Sequence, residues 1–222
     1  MVFLLAMATV MVIITVDIFF RLYQKRRHRL AAEAPAEAVE SAGGTVDPYY
    51  PQRLLYNHSH AWVQADSATV SVGLDDFVQR LAGPIDRIEA VRAGTVVNKG
   101  DPLWTIHFGD RSITQRAPLS GRVTQVNQSV LRDPSLANRA PYGEGWVLEI
   151  MPRSLGDEST SLLDRKGFRI WNDNVRAKLL QEMRPELGVV FGDAGQLRHG
   201  AGRKMEREKW DRFVNKFFAD GE

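Results

Sequence analysis

Apolar positions along this chain fall into three regimes. Residues 2–20 are apolar except for Thr9, Thr15 and Asp17. With Leu22 and Tyr23 at its end, this run reaches the roughly 20 residues a helix needs to cross a bilayer core. Residues 61–150 carry apolar positions in short runs: 61–72, 85–90, 103–108, 113–116, 121–126 and 146–150 are rich in β-branched or aromatic residues and are separated by Gly, Pro and Asp. Short strands at this spacing predict a β-sandwich or barrel, with one small helix around residues 75–81. Beyond residue 161 the period lengthens. Phe168, Trp171, Val175 and Leu179 recur at steps of three and four, as one helix face requires. Pro185 ends that segment, and a short apolar run follows at 187–191. A second helix is predicted over 203–218, where Trp210, Phe213, Val214 and Phe217 form a stripe opposite Lys204, Arg207, Lys209 and Arg212.

These regimes divide the chain into a transmembrane helix (1–23), a basic flank and flexible linker (24–47), a β-rich domain (48–160) and a helical extension (161–222). No basic residue precedes the apolar run, whereas Arg21, Lys25, Arg26, Arg27 and Arg29 follow it. The positive-inside bias therefore predicts a single-pass protein of the inner or plasma membrane, with its C-terminal domain in the cytoplasm. A cleaved signal peptide would carry its charges before the apolar run. Asp17 lies about one turn from Arg21 and reads as an interfacial carboxylate. Residues 31–47, rich in Ala, Glu and Gly without large apolar periodicity, read as a tether.

Composition removes several function classes. The 222 residues carry a net charge of +2, so nothing global points to nucleic acid. There is no cysteine, which excludes disulfides, thiolate catalysis and Cys-based zinc sites. His58 and His60 would share one face of a strand, and His107 is the third candidate, but half a ligand set with no nearby carboxylate pair predicts no metal centre. No catalytic triad, phosphate-cradling loop or paired-carboxylate spacing stands out, and Gly192-Asp193-Ala194-Gly195 lacks the following Lys-Ser/Thr of a P-loop. An enzyme is not predicted.

A series of ordered motifs carries a family resemblance. They are His60-Ala61-Trp62-Val63, the segment from Val70 through Gly73-Leu74-Asp75-Asp76-Phe77, and Leu81-Ala82-Gly83. The turn Gly94, Val96, Lys99-Gly100-Asp101-Pro102 follows, then Ala117-Pro118-Leu119-Ser120-Gly121 and Val126-Asn127. Asp133-Pro134-Ser135-Leu136-Ala137-Asn138 and Pro141-Tyr142-Gly143-Glu144-Gly145-Trp146 complete it. In order and spacing these residues resemble the H-protein of the glycine cleavage system. That resemblance implies a lipoyl-like β-fold, and Leu162-Leu163-Asp164 is similar to the start of the family's closing helix.

The resemblance also implies a lipoyl-lysine at the tip of a hairpin, within a Glu-Ser-Val-Lys tetrad. Counting from Pro102 to Pro118 places that tetrad on His107-Phe108-Gly109-Asp110. All four residues differ, and Asp110 has no amine to acylate. No lysine lies between Lys99 and Lys166, and the guanidinium of Arg111 stays protonated and is not nucleophilic. Gly109-Asp110 remains a strong two-residue turn signal. No cofactor is therefore expected, although lipoate is expected of the family.

Three function classes follow: a membrane-anchored H-protein-like scaffold without lipoate, a true lipoyl carrier, or an enzyme or metal protein on the same fold. The first is the reading adopted. Its partners are the bilayer, through residues 2–20, and an unidentified protein that belongs to a glycine-cleavage-like system or a membrane complex. Trp210, Phe213 and Phe217 are the partner-binding candidates; packing of that stripe against the β-domain is the default, with a partner's groove or a basic amphipathic helix on the anionic inner leaflet as the alternatives.

Overall fold

The computed structural model describes residues 11, 51, 53–66, 68–182 and 197–219. The chain divides into two compact units, Met1–Ala42 and Gly43–Glu222; the elements below all belong to the second. The apolar run at 2–20 lies outside the described residues except for Met11. Among the described residues no helix is long and apolar enough to cross a membrane.

Among the described residues nine strands form two sheets. In chain order they are β1 (Leu55–Tyr56), β2 (Ala61–Asp66), β3 (Thr69–Leu74), β4 (Arg87–Ala90), β5 (Val96–Val97), β6 (Pro102–Phe108), β7 (Arg111–Arg116), β8 (Gly121–Val126) and β9 (Leu148–Pro152). The larger sheet runs β1-β2-β3-β9-β8-β5 and the smaller β4-β6-β7. The segment read as one strand over 61–72 is a hairpin, with Asp66 opposite Thr69. Either half alternates well enough to be a strand, and periodicity alone does not mark a tight reversal.

Alternation along the strands puts Val63, Val70, Val72, Val123 and Ile150 of the larger sheet in one core with Ile88, Trp104, Ile106, Phe108 and Ile113 of the smaller. Helix α1 (Asp76–Ala82) adds Phe77, Val78 and Leu81. Its N-cap is Asp75, whose Oδ1 accepts from Val78 N at 3.0 Å; such caps are worth about 1 kcal/mol. Short helices α2 (Gln128–Arg132), α3 (Leu136–Arg139) and α4 (Leu155–Ser159) fill the connections.

Helix α5 (Arg165–Glu182) occupies the stretch whose apolar period predicts it. It buries Phe168 in a second cluster with Leu54, Tyr56, Trp62 and Trp146, on the side of β2 opposite Val63. Tyr56 stacks on Phe168 with ring centroids 4.2 Å apart. The predicted helix over 203–218 is three pieces: α6 (Ala201–Lys204), α7 (Arg207–Val214) and a π-helical turn at Asn215–Ala219. Met205, extended at the end of α6, breaks the first two apart. Pro185 and the run at 187–191 lie outside the described residues.

Candidate functional site

The hairpin β6–β7 is present, and its tip is the two residues Gly109 and Asp110, since Phe108 pairs with Arg111. Gly109 has φ +62°. A positive φ at the first central residue alone is the pattern of a Gly-first primed turn, which matches the twist of the flanking strands. At the tip the Asp110 side chain is 65% exposed.

The hairpin is held from both sides. Asp86, just before β4, accepts the Gly109 N–H at 2.5 Å and pairs with Arg203 Nη2 at 3.1 Å. The Gly109 hydrogen bond first, and then Arg203, hold the Asp86 carboxyl below its ordinary pKa. Arg203 Nε also donates to Ala82 O at 3.2 Å, Nη2 donates to Pro84 O, and the guanidinium sits 5.9 Å from the centre of the Phe108 ring. Phe108 points inward and is fully buried. Trp210 meets it edge-on, with centroids 5.4 Å apart and planes at 87°.

Two main-chain carbonyls complete the attachment. Arg111, buried on the inner face of β7, donates from Nη2 to Met205 O at 2.7 Å, and Arg116 Nε donates to Phe218 O at 3.3 Å. Charged donors to carbonyls are stronger than neutral ones. Residues 201–219 are thus a cap packed over the hairpin. Gly202 is required by the close approach: a Cβ there would lie 2.8 Å from Trp210 and 3.2 Å from Phe108.

His107, Phe108, Gly109 and Asp110 therefore stand together as the sequence places them, with His107 Nε2 3.3 Å from the exposed Glu89. Trp210 and Phe213 are buried against the domain, as the default reading has it. Phe217 is only partly buried. Phe218 takes its inward position, because a π turn spaces its hydrogen bonds at five residues and moves the apolar stripe on by one. Sequence reasoning missed Asp86, Arg111, Arg203 and Phe218. The Gly200-Ala201-Gly202 run before Arg203 was the available signal for close backbone contact.

His58 and His60 precede β2 and do not share a strand face; both rings pack on Trp171, with centroids 5.3 and 4.8 Å from it. His60, fully buried, bonds through Nδ1 to Asp75 Oδ2 at 2.7 Å and stacks on Phe77 at 4.2 Å. It is the one described non-glycine residue with positive φ, +63°. Phe168, Trp171 and Phe218 surround the ring, so His60 joins the β-domain to both parts of the extension. Among the described residues no group of three potential ligands could hold a metal ion.

Asp76 has its pKa raised from 3.8 to about 6, by burial first and by the neighbouring Asp75 second; Arg80 and a hydrogen bond from Tyr142 oppose the shift. A folded-state pKa above the unfolded one gives stability that is present below about pH 4 and lost as pH rises through 6. Asp76→Asn removes that loss. Thermal melts are expected to show the variant more stable than the parent at pH 7.5, by up to about 3 kcal/mol, with the gap closing at pH 4. A gap of equal size at both pH values would refute this assignment.

The two-sheet β-domain with its tight β6–β7 hairpin is a lipoyl-type β-fold. The sequence profile of the glycine cleavage H-protein family matches residues 54–171, and the chain belongs to that family. It is 33% identical over 119 residues to the glycine cleavage system H protein of Thermus thermophilus, covering 54% of this chain and 92% of that one. It is 35% identical over 116 residues to a probable H protein of Pyrococcus furiosus, covering 52% and 86%. A crystal structure of a glycine cleavage system H protein from Mycobacterium marinum superposes with a TM-score of 0.51 at 22% identity, over 56% of this chain and 99% of that one. The cap at 201–219 lies beyond the matched residues.

The hairpin does not fit lipoate. The group needs a lysine amine, and the tip presents a carboxylate. Lys99 lies before the other end of β6, where its Nζ donates to Ser161 Oγ at 2.7 Å.

Proposed function

We propose that this chain is a membrane-anchored H-protein-like module without lipoate, which acts by binding protein partners and catalyses nothing itself. The observation that carries this reading is Asp110 at the exposed hairpin tip. The cap adds a feature to it: around Asp110, Phe108, Gly109 and Arg111 are each held by other parts of the chain, so a partner would meet a fixed hairpin. Family membership favours the second reading, a lipoyl carrier of glycine cleavage, and the missing amine opposes it. Expression with an active lipoate ligase, followed by intact-mass measurement, decides between them. The unmodified mass is expected, and a lipoyl increment mapped to any lysine would overturn the proposal.

In this reading residues 2–20 cross the inner or plasma membrane once, and the domain faces the cytoplasm. Reporters fused at Glu222 that work only in the cytoplasm are expected to be active. Activity of a periplasmic reporter there would reverse the topology.

A further inference from the structure

We infer that the outer face of the larger sheet at its β5 end is a membrane-contact surface for anionic lipid headgroups. Val96 on β5 pairs with Arg122 on β8, and Arg122 pairs with Met151 on β9. The three form one row, and it points away from the core because their neighbours Val97, Val123 and Ile150 belong to the core. Val96 is 54% and Met151 47% exposed. At the other end of this face Trp62 lies under Phe168 and Trp146; the β5 end has no such cover among the described residues.

Three arginines stand around the row, and the carboxylate on the same face of β9, Glu149, is buried. Arg122 is exposed and donates from Nη1 to the carbonyl of Gly94, at 2.9 Å. Arg92 is exposed in the turn that feeds β5, and Arg153 is exposed two residues beyond Met151. Among the described residues none of these arginines is within ion-pair distance of a carboxylate. The acids nearest in sequence to Arg153 are already engaged, Asp157 with Ser154 Oγ and Glu158 with Ser120 N.

Guanidinium groups flanking exposed apolar side chains suit the headgroup–acyl boundary, where the charge meets anionic lipid and the apolar groups sit below it. Basic side chains beside exposed apolar ones, on a chain read as tethered to a membrane, favour a bilayer over a folded partner. The inference rests on the anchor reading. The tether that the sequence predicts over 24–47 would have a root-mean-square reach of roughly 25–30 Å and would keep the domain at high effective concentration beside the lipid.

The full chain lacks cysteine, so single cysteines report cleanly. Thr124→Cys, exposed beside Arg122, and Ser112→Cys, exposed on the smaller sheet, are labelled with an environment-sensitive dye. The chain is placed in nanodiscs of phosphatidylcholine alone or with phosphatidylglycerol. A blue shift is expected at position 124 only, in anionic discs only, and it should reverse at high salt. Arg122→Glu should weaken it about fivefold or more, and Val96→Ser with Met151→Ser should weaken it independently. No shift at 124, or an equal shift at 112, overturns the inference. A shift with poly-glutamate but not with anionic discs overturns it in favour of an acidic protein segment. Incorporation into neutral discs reports on the anchor separately. If that fails, co-sedimentation with anionic vesicles decides: loss of binding in Arg122→Glu supports the surface, and no binding by the parent overturns it.

Discussion

Trp210→Ala is expected to lower the melting temperature by roughly 10 °C, from a loss of about 3–5 kcal/mol. Trp210 is 3% exposed and packs against Phe108 and Phe213, so alanine leaves a cavity between the hairpin and the cap. Phe217→Ala, at a partly buried position, should cost only about 1 kcal/mol by the area it covers. Ending the chain at Gln196 removes Trp210, Phe213 and Phe218 together, along with the carbonyls that receive Arg111 and Arg116. Each buried aromatic is worth about 1.5–3 kcal/mol against a total margin of about 5–15 kcal/mol. The truncated chain should therefore melt far lower or aggregate. Calorimetry of the three variants checks this, and a melting temperature for Trp210→Ala within about 2 °C of the parent would show that the cap is not part of the core.

The second large effect concerns the hairpin. Asp110→Lys alone should gain little or no lipoate from an active ligase, because the new amine is flanked by His107, Phe108 and Gly109 in place of the family's tetrad. It would also lie beside the Arg111 guanidinium, which Asp110 now faces at 3.6 Å. Installing the whole tetrad at 107–110 supplies the recognition sequence but works against this fold. Phe108→Ser empties a fully buried site under Trp210. Gly109→Val places a β-branched residue at φ +62°. The quadruple variant should accept more lipoate than Asp110→Lys and melt several kcal/mol lower. Intact mass and thermal melts together test both halves. Efficient modification of Asp110→Lys with unchanged stability would mean that the amine is the only thing lost.

If both results hold, the tip and the extension have changed together. The residues that replace the tetrad are the ones the cap needs: an aromatic to receive Trp210 and Arg203, and a glycine whose N–H reaches Asp86. The hairpin would then be a fixed surface held by the extension. A bound partner could reach Trp210 and Phe213 only by lifting the cap.

Much of this was legible in the sequence because it depends on local periodicity. Alternation of apolar and polar residues marked β6 and β8 almost to their ends, the Gly109-Asp110 pair marked the turn, and steps of three and four marked α5. Those signals are physical consequences of a two-residue and a 3.6-residue repeat. The missing lysine was also a sequence fact, independent of any packing. What the sequence did not determine was where the extension goes. Its aromatic stripe reads the same whether it covers the home domain, a partner or a membrane, since apolar burial has no direction of its own. Only the tertiary structure put Trp210 on Phe108, shifted the inward residue from Phe217 to Phe218 through a π turn, and brought Arg203 to Asp86 across 117 residues of chain. It also brought Val96, Arg122 and Met151 into one exposed row, because strand register, which sequence patterns leave open between distant strands, sets which side chains share a surface.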